Sequence, residues 1–290
     1  MRRLAGAWRD LVVYAWNHPF ARQDRLGTYG RILRWQWRSR TTRGAVVTRW
    51  VNGARLALRH GQSGATGNLY YGLHEYADLA FFGHFLREGD VFADIGANAG
   101  SYTVLAGGVA GARVLSFEPV PATMAALRAN VDLNDLGARV ELHEVALGAQ
   151  PGVARFTCDE DAMNRFADAQ EAGAAITVSV DTLDARLADR GVVAMKVDVE
   201  GAEERVFAAA GRVLAEPQLV AIEVETARPA VRRTIEGAGF REAWYDPRRR
   251  ELAGRPNGLR QNNHLFVRNH DFVAARLRSA RALQFGRLSV

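Results

Sequence analysis

The stretch Val91-Phe92-Ala93-Asp94-Ile95-Gly96-Ala97-Asn98-Ala99-Gly100-Ser101-Tyr102 reads as a buried strand that ends in an acid and turns through two glycines into a helix. Gly96 and Gly100 permit backbone angles and close approaches that side chains forbid. The start of the following helix offers N–H groups to a carboxylate or phosphate. Eighteen residues past Gly100, where the next apolar run ends, stands Glu118 of Ser116-Phe117-Glu118-Pro119. An acid at about that distance accepts hydrogen bonds from ribose hydroxyls in nucleotide-binding α/β proteins.

Glycine spacing narrows the ligand. A dinucleotide fingerprint would need glycines where this chain has Asn98 and Ser101, because there the backbone must approach a pyrophosphate. Asp94 would repel a pyrophosphate but suits an amino group or a sulfonium. The expected ligand is therefore S-adenosylmethionine with Glu118 on its ribose, and an NAD-dependent oxidoreductase is the rival these residues count against.

Apolar runs at Val114–Phe117, Val140–Val145, Val193–Val199 and Leu219–Val224 follow, separated by helical stretches. One is Ala122–Asn134, with Met124, Leu127 and Val131 on one face, and another is Glu203–Leu214. This alternation predicts a parallel sheet with helices on both faces. Ala154–Thr157 and Ile176–Val180 are further strands flanking a polar stretch that reads as a loop or lid. Phe240–Tyr245 and His264–Val267 predict an antiparallel hairpin around an arginine-rich turn, and Asp271 is placed to cap a last helix bearing Val273, Leu277 and Ala280. Toward the N-terminus, Leu4, Trp8, Leu11, Val12, Ala15 and Trp16 form one helical stripe that His18-Pro19 ends. A second helix sets Tyr29, Leu33 and Trp37 on one face, expected to pack on the core, and Arg31, Arg34 and Arg38 on another. The sharper alternative is a basic aromatic surface for an acidic substrate, partner or membrane.

The blocks Asp94 to Tyr102, Phe117-Glu-Pro119 and Met195-Lys-Val-Asp-Val-Glu-Gly-Ala-Glu203 resemble the FkbM family of class I S-adenosylmethionine-dependent methyltransferases. The resemblance runs from about Gly67 to Val267 and includes Asn68-Leu-Tyr-Tyr-Gly-Leu-His-Glu75 and Asn263-His-Leu-Phe-Val267. The K-x-D-x-E-G-x-E string, Lys196 to Glu203, makes it specific. It implies a Rossmann-like sheet of seven strands, the last antiparallel, and O-methylation of a hydroxyl on a small molecule, sugar or glycan-like acceptor. Cofactor contacts are expected at Glu75, Asp94, Gly96, Asn98, Gly100, Ser101, Tyr102, Glu118, Pro119 and Val145.

Asp198 and Glu200 lie two apart, so on an extended strand both would face the donor methyl group. Either is a general-base candidate for a hydroxyl nucleophile. Paired acids also suit a divalent metal, and the bland reading has one of them capping the next helix or pairing with Lys196. Glu223 and Glu225 are expected to line the acceptor pocket. His74, His143 and His264 read more readily as structural hydrogen-bonders than as bases.

The chain has 290 residues, 48% hydrophobic and 24% charged, which excludes a disordered, collagen-like or disulfide-built protein. A single cysteine, Cys158, precludes an internal disulfide and fits a reducing, cytoplasmic compartment. No apolar run approaches the roughly 18 residues of a membrane span. Residues 1–60 carry a net charge of +11 and 246–290 of +7, around an acidic middle of −12. Of the 38 basic residues only Lys196 is lysine, so part of the basic signal reflects arginine bias. The acidic core argues against nucleic acid as a partner; the alternative is an RNA- or anion-binding protein using the arginine-rich ends, or an RNA methyltransferase. The basic N-terminus also suits peripheral membrane contact. Trp35, Trp37 and Trp50, if exposed, offer a surface for self-association. The expected division is a basic helical extension (1–61), a methyltransferase domain (62–270) and a C-terminal helix (271–290).

Overall fold

The computed structural model describes residues 11–60, 62–157, 165–166, 174–256 and 261–290. Leu4 and Trp8 of the first helical stripe, Cys158 and most of the lid-like polar stretch lie outside them. Residues 11–17 are helical (α1), followed by α2 (Arg25–Thr41), a hairpin of β1 (Val46–Arg49) and β2 (Arg55–Leu58), α3 (Ser63–Tyr71) and α4 (Tyr76–Phe85). The alternating region comprises β3 (Val91–Ile95), α5 (Ser101–Val104), β4 (Arg113–Phe117), α6 (Pro121–Leu133) and β5 (Val140–His143). Next come β6 (Ala146–Leu147), β7 (Gly152–Thr157), β8 (Ala175–Asp181), α7 (Leu183–Leu187), β9 (Val192–Val197), α8 (Glu203–Phe207), α9 (Gly211–Ala215) and β10 (Ala221–Val224). The chain closes with α10 (Pro229–Gly237), β11 (Arg241–Asp246), β12 (Glu251–Ala253), β13 (His264–Val267), α11 (His270–Arg278), β14 (Gln284–Phe285) and β15 (Leu288–Ser289).

The main sheet runs β5-β4-β3-β9-β10-β13-β11-β12. Strands β5 through β10 are parallel, and β13 runs antiparallel between β10 and β11. This is the expected seven-stranded arrangement with its last strand reversed. Strand β12 is an eighth, unforeseen member, made where the arginine-rich turn folds back on β11. Successive side chains face opposite layers: Phe92, Val114, Ala194 and Ala221 join one apolar cluster, and Ala93, Leu115, Met195 and Ile222 the other. Strand order reverses between β3 and β9, and there the carboxyl ends of an open sheet leave a crevice for a ligand. No described helix is long and apolar enough to cross a membrane.

Several local expectations are corrected. In α2 the buried residues are Thr28, Ile32, Trp35 and Ser39, whereas Leu33 and Trp37 are exposed. The hydroxyls on the inner face are satisfied, Thr28 Oγ1 by the Asp24 carbonyl at 2.8 Å and Ser39 by His60 at 3.4 Å, so small polar residues line the close approach to α3. Trp35 and Trp50 are buried, which leaves Trp37 as the exposed tryptophan of the three. The stretch 1–61 holds the β1–β2 hairpin as well as helices. The helix expected over Glu203–Leu214 breaks into α8 and α9 around Ala208–Ala210. Asp271 sits in the first turn of α11 and does not cap it; Asn269 precedes that helix with φ 53° and no side-chain cap. After α11 the chain forms the β14–β15 hairpin.

Candidate active site

The carboxyl ends of β3, β4, β9 and β10 open into a cavity of about 240 Å³, many times the roughly 30 Å³ share of one water. Of the expected site residues, Glu75, Asp94, Gly96, Asn98, Ser101, Tyr102, Glu118, Pro119, Val145, Asp198 and Glu200 all line it. Gly100 does not. Its φ is +90°, and a Cβ there would lie 2.5 Å from Leu127, so this glycine serves the turn and its packing on α6. Gly96, at φ +78°, is pressed against β9: an added Cβ would fall 1.8 Å from the Asp198 carbonyl oxygen.

Within the glycine turn itself the amides are already bonded, and the expected helix-start donors begin only beyond it, at Ser101. Gly96 and Ala97 donate to the Phe117 carbonyl, Asn98 to Glu118 Oε2, Ala99 to Asn98 Oδ1, and Gly100 to the Ala97 carbonyl. A pyrophosphate would find no open donor along this loop. Glu118 accepts from Asn98 N and from Val120 N, both at 3.0 Å, and each oxygen keeps a lone pair for a hydroxyl. Burial raises its carboxyl to about 7, against the pull of those amides. On the far side Val145, Ala146 and Leu147 form a wall, with His143 stacked on Phe117 at 4.6 Å.

Below the cavity, one row of polar side chains crosses four strands. Ser116, Asp94, Lys196 and Glu223 are direct neighbours in register on β4, β3, β9 and β10, and all are buried. Thr103 Oγ1 joins Asp94 Oδ2 at 2.6 Å to Ser116 at 2.8 Å, while Asp94 Oδ1 is buried with no hydrogen-bond partner among the described residues. Burial raises the Asp94 carboxyl, and Lys196 partly offsets that. Lys196 Nζ lies 2.5 Å from Asp198 Oδ2 and 4.7 Å above the Tyr102 ring. Its burial disfavours charge, but Asp198, Glu75 and Asp94 outweigh that and hold the ammonium above its ordinary range. Tyr102 donates to Glu75 at 2.7 Å, and Asn263 bridges Glu75 and Glu223. Desolvation and then the Glu75 charge raise buried Asp78 to about 7, and desolvation, Asp78 and Glu75 raise buried Glu223.

Asp198 and Glu200 are brought together, though not by the expected geometry. Strand β9 ends at Val197, and Glu200 has φ +50°, so a tight turn replaces an extended chain. Asp198 N bonds the Ile95 carbonyl and Glu225 N the Val197 carbonyl, so each acid stands just past a strand that its neighbour pins. Oxygens of Asp198, Glu200 and Glu225 lie within 4.8 Å of one another. Burial, then the Asp198 charge, raises Glu200 to about 7 and Glu225 to about 8. Neither Asp198 nor Glu200 caps α8. Pairing with Lys196, the bland alternative, is observed for Asp198 and not for Glu200. Glu223 lies below the cavity with Asn263, and His264 bonds Glu242 at 2.7 Å away from it. The polar row went unread in the sequence, although each of its members is the penultimate residue of its strand.

A sequence model of the methyltransferase FkbM domain matches residues 94–242. The chain is 32% identical over 197 residues to the 31-O-demethyl-FK506 methyltransferase FkbM of Streptomyces tacrolimicus, covering 55% of this chain and 74% of that protein. Among solved structures, a precorrin-6y C5,15-methyltransferase from Geobacter metallireducens GS-15 is 16% identical with a TM-score of 0.39, over 67% of this chain and 86% of that one. The Pyrococcus abyssi tRNA (uracil-54, C5)-methyltransferase, in complex with S-adenosyl-L-homocysteine, is 14% identical with a TM-score of 0.42, over 78% and 44%. With its matched domain spanning half the chain and its strand-end cavity, the protein belongs to the FkbM family of S-adenosylmethionine-dependent methyltransferases.

Proposed function

We propose that this enzyme methylates a hydroxyl oxygen of a small-molecule or glycan-like acceptor, with Glu200 receiving the proton. The observation that carries this reading is the acid trio of Asp198, Glu200 and Glu225 in the same cavity as Asp94 and Glu118. Among the described residues, six carboxyls line that cavity against one ammonium, that of Lys196. Such a lining attracts a donor with a sulfonium and an amino group and repels a pyrophosphate. Bound S-adenosylmethionine supplies an electrophilic methyl group. Glu118 would accept from the ribose hydroxyls, and the Asp94 charge in the cavity lining would favour the cationic end of the donor.

As the acceptor oxygen gains the methyl, its proton must leave. A carboxyl titrating at about 7 is well matched to take it at neutral pH. Asp198, with one oxygen on Lys196, raises Glu200 and positions it. The name of the Streptomyces relative, a methyltransferase of a 31-O-demethyl compound, supports oxygen as the accepting atom. The trio is a poor seat for a divalent metal, since the buried Lys196 ammonium already occupies Asp198 and would repel a dication. No step here runs through a metal.

The test is methyl transfer from labelled S-adenosylmethionine to a panel of hydroxylated macrolides and sugars by wild type and Glu200→Gln. The variant is expected to lose about 10²–10⁴-fold in kcat while donor affinity holds within about threefold. Unchanged turnover in Glu200→Gln, or transfer confined to nitrogen acceptors, would overturn the proposal.

A further inference from the structure

Helix α2 carries two apolar stripes. Thr28, Ile32, Trp35 and Ser39 face inward. Leu26, Gly30, Leu33 and Trp37 repeat the same spacing on the opposite side of the helix. Leu26 is 88% exposed, Leu33 63% and Trp37 68%, and the space above Gly30 is open. Side chains of this size in one outward row are the part of a soluble surface that asks for a partner. The row extends onto α1, where Val12, Val13 and Trp16 are exposed and the Arg25 guanidinium lies 3.8 Å over the Trp16 ring.

The flanks define that partner's charge. Helix α2 has five arginines and no acid, with Arg34 and Arg40 bordering the apolar row by their spacing. The nearby Asp24 is spent on the α2 N-terminus and on Arg31. Long cationic side chains beside an apolar stripe place their stems along the acyl boundary and their heads among phosphates. Two copies meeting through this face would instead set Arg34 and Arg40 of each against those of the other.

We infer that the outer face of α2, with the end of α1, seats the enzyme on an anionic lipid surface. The inference concerns a face away from the cavity and does not depend on the acceptor atom. The experiment is co-sedimentation of the full chain with phosphatidylcholine vesicles and with vesicles holding about a third phosphatidylglycerol, at low and high salt. Wild type is expected to sediment with the anionic vesicles, more weakly at high salt, and to stay in solution with neutral ones. The exposed triple variant Leu26→Ser, Leu33→Ser, Trp37→Ser is expected to lose at least about tenfold in partitioning, with its circular dichroism and S-adenosylmethionine binding unchanged. Wild type remaining in solution with anionic vesicles, or a triple variant that sediments like wild type, would overturn the inference. Self-association abolished by the same substitutions, without vesicle binding, would give the face to a second copy and overturn it equally.

Discussion

Gly96 shows how one hydrogen in place of a methyl sets the site. Its α-carbon backs onto the Asp198 carbonyl so closely that a Cβ would stand 1.8 Å from the oxygen, and its φ of +78° is one that side chains resist. The turn after β3 can therefore lie directly against the end of β9, which brings Asp94 and Glu118 into one cavity with Asp198, Glu200 and Glu225. Gly96→Ala must push these strand ends apart. It is expected to cost about 2–4 kcal/mol of stability by denaturant unfolding and to weaken S-adenosylmethionine binding in calorimetry. Gly100→Ala acts on Leu127 instead, a flexible side chain, and should be milder in both measurements.

Helix α6 is the element that locks the N-terminal hairpin to the sheet. Asn130 and Asn134, one turn apart, present side-chain amides to β2 as a neighbouring strand would. Asn134 meets Arg55 N and O, each at 2.8 Å, and Asn130 meets Ala57 N at 2.6 Å and Ala57 O at 3.3 Å. Asn130 also donates to Ala99 of the cofactor turn at 2.8 Å. Asn130→Ala strands buried polar groups on both sides. It is expected to destabilise by about 2–4 kcal/mol, measured by thermal melting, and to loosen donor binding through Ala99. None of this was legible, because periodicity located the helix by Met124, Leu127 and Val131 and assigned no partner to the polar Asn130 and Asn134 beside them. The strands were legible for the converse reason: short, mostly apolar runs such as Val91–Ile95 and His264–Val267 have few other ways to be buried. The inner face of α2 was misread because hydrophobicity picked Leu33 and Trp37 over Thr28 and Ser39, and close helix packing favours the smaller pair. Asp198 and Glu200 were found through their spacing, yet a turn at Glu200 joins them, and Glu225 arrives from a strand whose register no spacing rule gives.

Across the whole molecule, the cavity gathers carboxyls that folding makes harder to ionise. Glu118 and Glu200 are raised to about 7 and Glu225 to about 8 by burial first and then by neighbouring carboxylates, Asp198 in each case. A carboxyl raised on folding contributes stability that is fully present below its unfolded value of about 4.5 and is lost as pH rises through the folded one. His84 and His143, both lowered chiefly by burial, work in the opposite direction, but only up to about pH 7. Glu141 and Glu242, lowered by arginine partners despite some burial, matter only in acid. Between pH 7 and 9 the ligand-free protein should therefore lose stability, on the order of 1 kcal/mol after allowing for the half-exposed Glu200 and Glu225. That is a few degrees in Tm. Glu225→Gln should flatten the slope in a melting series, and an equal slope in the variant would remove Glu225 as its source.

The single lysine has a practical meaning. Every other cation on the side chains is a guanidinium, and the one ε-amine is 3% exposed beneath the site. Amine-directed acylation therefore has no surface side chain to consume it. Whatever label reaches Lys196 records a moment when the floor of the cavity was open to solvent, so an ordinary acylating reagent becomes a clock for the breathing of that cavity.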